Sequence, residues 1–123
     1  MATQPQPGAQ EEAEQAVRDY QMVQEQMRAA AVQLNQFQGQ KAELEKARGE
    51  VAASTGKVYV TMGGVIVETS KEKALSDIKE RFELAEVRIG SLTKQYGELK
   101  AKEKQLGDRL TQMYKQAQGQ GSR

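Results

Sequence analysis

The sequence predicts a mainly α chain: a long antiparallel two-helix coiled coil whose helices are joined by a β-hairpin. Three observations predict it. Two long stretches repeat apolar residues at alternating steps of three and four, the heptad period of a coiled coil. A short stretch between them is rich in strand formers around Gly63-Gly64. The composition suits exposed helices, with 37% apolar, 5% aromatic and 28% charged residues in a chain of 123. Such a chain is too polar to enclose a thick globular core of its own.

Residues 1–9 hold both prolines, Pro5 and Pro7, among Gln and Gly, and read as a disordered tail. The first helix is expected over residues 10–53. Its seam runs Ala13, Ala16, Tyr20, Val23, Met27, Ala30, Leu34, Phe37, Lys41, Leu44, Arg48 and Val51, all apolar but Lys41 and Arg48. Between them lie mostly Gln, Glu, Lys, Arg and Ala, which are good helix formers.

A β-hairpin is expected over residues 57–69. Val58, Tyr59, Val60 and Thr61 favour one strand, and Val65, Ile66 and Val67 the other. Gly63-Gly64 permits the positive φ of a two-residue turn.

The second helix is expected over residues 70–118. Its seam is Leu75, Ile78, Phe82, Ala85, Ile89, Leu92, Tyr96, Leu99, Glu103, Leu106, Leu110, Met113 and Ala117, all apolar but Glu103. Thr69 followed by Glu72 has the form of a capping box. Arg81, Arg88, Lys102 and Arg109 line one edge of this seam, as a solvated face or a device of partner choice. Residues 119–123 read as a second disordered tail. Gly39, Gly49, Gly90, Gly97 and Gly107 fall inside the helices but off the seam. Each costs roughly 1 kcal/mol relative to Ala, so the helices are expected to be pliable.

Several function classes are excluded. The chain has no Cys and no His, which removes thiol chemistry, zinc ribbons and the usual near-neutral base. Carboxylate pairs such as Glu43 and Glu45, or Glu11 and Glu12, read as solvated helix faces. Gly63-Gly64 lacks the Lys-Ser/Thr of a phosphate loop. No catalytic residue, metal or cofactor is therefore expected, and the protein is not read as an enzyme. A net charge of +1 draws the chain neither to nucleic acid nor to a membrane surface. Residues 1–10 lack a secretory signal, and no apolar run is long enough to span a bilayer. A soluble, cytoplasmic protein is expected.

The hairpin implies partners. A lone two-stranded hairpin is marginal in water. Val58, Val60 and Met62 alternate with Tyr59, and Val65 and Val67 with Ile66, so both faces carry apolar groups. Both edges leave backbone donors and acceptors unpaired. Residues Val58 to Val60, Met62, the Gly63-Gly64 turn and Val65 to Val67 are thus expected to assemble with hairpins of other chains.

At 1.5 Å per residue each helix measures roughly 65–70 Å, which brings Glu11 and Gln118 together far from the hairpin. This tip carries Ala13, Ala16, Val17, Tyr20 and Val23 on one helix and Leu106, Leu110, Met113 and Tyr114 on the other. These are candidate exposed contacts. Val17 and Tyr114 fall off the seam and are the better candidates, because the rest also complete the helix pairing. The start of the chain carries Glu11, Glu12, Glu14 and Asp19 against Arg18 alone, whereas Lys100–Arg123 holds six basic residues against Glu103 and Asp108.

Two long helices around one hairpin, with Val58-Tyr59, Gly63 and Val65-Ile66-Val67 in the connector, resemble prefoldin of the β type. Lys73, Leu84, Arg88, Leu92, Lys94 and Gln95 continue the similarity, which covers Val17 to Met113 and looks archaeal rather than eukaryotic. One departure is Val60, where the family commonly has a basic residue. The resemblance implies a hetero-hexamer of two α-type and four β-type subunits, with the hairpins closing into intersubunit β-barrels. It implies an ATP-independent chaperone whose tips capture unfolded proteins and hand them to a group II chaperonin. The alternative is a structural coiled-coil protein that forms filaments or tethers through its hairpin.

Overall fold

Gly63 and Gly64 reverse the chain between two strands. In the computed structural model, which describes residues 8–121, β1 (Val58–Met62) and β2 (Val65–Thr69) pair antiparallel with Met62 opposite Val65. The φ angles of Gly63 and Gly64 are 54° and 83°. Positive φ at both central residues is the signature of a type I′ turn, whose twist matches the strands it joins. Most side chains would be strained at either position, which favours glycine twice. The register places Val60 opposite Val67 and Thr61 opposite Ile66.

Helix α1 spans Ala9–Ala53 and α2 spans Lys71–Gly121, with 45 and 51 residues. The backbone N–H of Glu12 donates to the carbonyl of Gly8 at 3.1 Å, which carries the first turn back to Ala9. At the other end, α2 continues through Gly119 to Gly121, where a tail was expected. Glycine lowers helix propensity by only about 1 kcal/mol, which weakens a last turn without forbidding it. Residues 1–7 and 122–123, the remainder of the two expected tails, lie outside the described residues.

The start of α2 differs from the expected capping box. Thr69 is the last residue of β2, opposite Val58. Ser70 is the N-cap instead: its Oγ accepts from the backbone N–H of Lys73 at 3.1 Å. Strand pairing occupies Thr69, so capping moves one residue on. Glu72 still favours the first turn through the helix dipole. Replacing the cap, Ser70→Ala, is expected to cost about 1 kcal/mol. A thermal melt followed by circular dichroism should show the midpoint lowered by several degrees; an unchanged midpoint would mean that Ser70 does not cap.

By contact, the described chain divides into two compact units, Val32–Thr93 and the remainder. Within Val32–Thr93 the helices run antiparallel. Lys71 Nζ donates to the Ser54 carbonyl at 3.2 Å, and further along Lys41 reaches Phe82 and Glu86. Lys71 supplies a positive charge at the end of α1, whose own last turn has no basic residue. Ala85 and Leu92 are buried here, while Phe37, Leu44, Ile78, Phe82 and Ile89 are half-buried along the seam. Lys41, one of the two charges on that seam in α1, sets its ammonium over the ring of Phe82. Its ammonium lies 5.2 Å from the ring centroid and 3.8 Å from Glu86 Oε2. The ring face attracts the cation, and the side chain stays 36% exposed. Two turns on, Ala47 rather than Arg48 takes the sheltered position, and Arg48 is exposed.

In the other unit Ala16, Val23, Met27 and Ala30 are buried. Tyr96, Leu99, Glu103, Leu106, Leu110 and Met113 are half-buried, and Ala117 is exposed. Tyr20 packs on Gly107, whose Cβ position lies 3.6 Å from Tyr20 Cε2. The other four seam-avoiding glycines, Gly39, Gly49, Gly90 and Gly97, have open space where a Cβ would stand. Alanine at all four is therefore expected to stabilise the chain by up to about 1 kcal/mol per site. The melting midpoint should rise by several degrees; a fall would show that these glycines answer to contacts made outside the chain.

Candidate functional site

The hairpin leaves its apolar groups uncovered. Alternation along the strands puts Val58, Val60, Met62, Val65 and Val67 on one face with Thr69. Tyr59, Thr61, Ile66 and Glu68 share the other. Only Val58, Val60 and Thr69 reach half-burial; Met62 is 63% exposed, Val65 61% and Ile66 72%. Tyr59 and Val67 are exposed as well. Of the exposed large apolar side chains among the described residues, five sit on these two short strands. Covering each would contribute on the order of 1–2 kcal/mol. Val60 fits this picture: opposite Val67, it makes the valine face continuous where a basic residue would interrupt it.

The candidate client contacts divide by exposure. Ala16 and Val23, each 2% exposed, are enclosed between the helices and offer nothing to a client unless the helices part. Ala13, Tyr20, Leu106, Leu110 and Met113 are half-buried along the same seam. The two off-seam residues, Val17 and Tyr114, are exposed. The Tyr114 hydroxyl accepts from Gln118 Nε2 at 2.8 Å, which steadies the ring with its face to solvent. On α1, Arg18 donates to Gln15, and Gln15 donates to Asp19, each at 2.9 Å. A wet polar surface thus surrounds Val17.

Leu84 and Val87 are exposed apolar groups that heptad reasoning missed, and they border a groove within Val32–Thr93. Both lie outside the seam, and their signal was that an outward helix face needs no leucine or valine.

Comparison with known proteins agrees with this geometry. A family model described as prefoldin subunit matches residues 14–117. The prefoldin subunit beta of Pyrococcus abyssi is 36% identical over 89 residues, which cover 71% of this chain and 76% of that protein. That of Methanosarcina acetivorans is 33% identical over 94 residues, 75% of this chain and 80% of the relative. The chain belongs to the prefoldin family, as a β-type subunit. The crystal structure of the prefoldin beta subunit from Thermococcus strain KS-1 superposes with a TM-score of 0.77 at 28% identity. It covers 89% of this chain and 96% of the other. Prefoldin is a chaperone family, and membership implies an oligomeric complex. Among the described residues no helix is long and apolar enough to cross a membrane.

Proposed function

We propose that this chain is one of four β-type subunits which, with two α-type subunits, form a cytoplasmic hexamer that captures unfolded proteins without ATP. Its hairpin adds strands to intersubunit β-barrels, and its helix ends hold the client until delivery to a group II chaperonin. The observation that carries this reading is the uncovered apolar surface of the hairpin, in a family of chaperone subunits. Edge pairing satisfies the unpaired backbone groups, and barrel closure removes the edges. The valine face fits the barrel interior, since the opposite face also carries Thr61 and Glu68.

Client contact is assigned to Val17 and Tyr114, with Ala13, Tyr20, Leu106, Leu110 and Met113 beside them. Non-directional apolar contact suits a client that exposes apolar segments in no fixed order. Each contact is weak, and several tethered ends raise the effective concentration. Co-expression with an α-type subunit, followed by electron microscopy, tests the assembly. Closed particles of defined mass are expected; open fibres would point to the filament alternative and contradict the proposal.

A further inference from the structure

We propose that the groove between Phe37–Ala47 of α1 and Arg81–Arg88 of α2 is a second binding site, for a short amphipathic helix whose apolar row is bordered by carboxylates. The groove has a volume of about 770 Å³ and lies wholly within Val32–Thr93. Its floor is Phe37, Leu44, Ala47 and Ala85. The two alanines let a partner backbone approach closely. Leu84 and Val87 rise along one wall, 66% and 68% exposed. Single exposed apolar residues are ordinary on any surface. Here two of them, one helical turn apart, stand over a concave apolar floor, which is the form of a recognition groove.

Charge selects the occupant. Arg81 and Arg88 stand on the same rim, both exposed, one heptad apart. Neither makes an ion pair among the described residues. Glu43 is the one carboxylate that lines the groove. Among the residues that line the groove the two arginines outnumber the one carboxylate, while Glu80 and Glu83 lie one turn before Leu84 and Val87 along α2, outside the lining. Seven steps of helix separate the two arginines, about 10 Å at 1.5 Å per residue, which matches two turns of a partner helix. Two guanidiniums at that spacing suit carboxylates placed one heptad apart beside the partner's apolar row.

This site is independent of the helix ends and does not require them to bind clients. The test is fluorescence anisotropy on the intact assembly with two synthetic helical peptides. Both carry the same leucine row; glutamates border it in one and lysines in the other. The glutamate peptide is expected to bind roughly ten-fold tighter at low salt, an advantage that high salt removes. Leu84→Ser with Val87→Ser should weaken both peptides, and Arg81→Glu with Arg88→Glu should reverse the preference. These four side chains are exposed, so helix content by circular dichroism should not change. Val17→Ser with Tyr114→Ser separates the two sites, because it should lower aggregation suppression and keep the glutamate peptide bound. Equal binding of the two peptides, or unchanged binding by the groove variants, would overturn the proposal.

Discussion

A chain carrying Val65→Asp and Val67→Asp is expected to sediment as a much smaller species than the unaltered protein, with its helix content intact. Within the single chain these two side chains cover little. Val65 is 61% exposed and Val67 42%, so aspartate there meets mostly water before assembly. In a closed barrel both would enter an apolar interior opposite Met62 and Val60. Burying an unpaired carboxylate costs several kcal/mol, and each subunit would bring two. Every 1.4 kcal/mol is a factor of ten, so the association constant should fall by about four orders of magnitude or more. The isolated chain loses little, because the turn at Gly63-Gly64 and the strand register do not depend on those side chains. Sedimentation velocity decides the matter; an assembly of unaltered size would remove the hairpin from its proposed role.

Loss of the helix ends is expected to have the second large effect, on capture instead of assembly. Removing Met1–Val17 and Met113–Arg123 takes away Val17 and Tyr114 together with Met113. Suppression of aggregation of a chemically unfolded reporter should be abolished, while the assembly loses only the mass of the removed residues. Apolar contact is worth about 25 cal/mol per Å², so a single end holds a client weakly. Avidity multiplies such contacts, and removing them from every subunit at once removes the product. The milder pair Val17→Ser and Tyr114→Ser leaves the seam whole and should weaken suppression several-fold. Full suppression by the truncated assembly would place the client contacts elsewhere on the chain.

Most of the seam was legible because coiled-coil burial follows a fixed period. Positions such as Ala16, Val23, Met27, Ala85 and Leu92 could be read from spacing alone, and all are buried. The hairpin was equally legible, since a Gly-Gly pair between β-branched runs has few other uses. What could not be read depended on neighbours distant in sequence. Thr69 and Ser70 are both good caps, and only the pairing of Thr69 with Val58 decides between them. Lys71 closes the end of α1 across the connector, which no local pattern announces. Lys41 is tolerated on the seam because Phe82 and Glu86 lie across from it. Ala47 replaces Arg48 in shelter because a guanidinium gains more from water than from that position. At the helix ends, spacing gave a list of apolar residues. Exposure divided it, enclosing Ala16 and Val23 and leaving Val17 and Tyr114 open to solvent. The groove beside Leu84 escaped notice because heptad reasoning looks inward, whereas Leu84 and Val87 face out.

Capture is proposed to depend on several helix ends held in one assembly by the hairpins. Light scattering of an unfolded reporter tests this directly, without nucleotide and at equal chain concentration. The unaltered assembly is compared with the Val65→Asp, Val67→Asp chain, whose helix ends are untouched. The assembly is expected to suppress aggregation, and the dissociated chain, deprived of avidity, is expected not to. Equal suppression by both would contradict it.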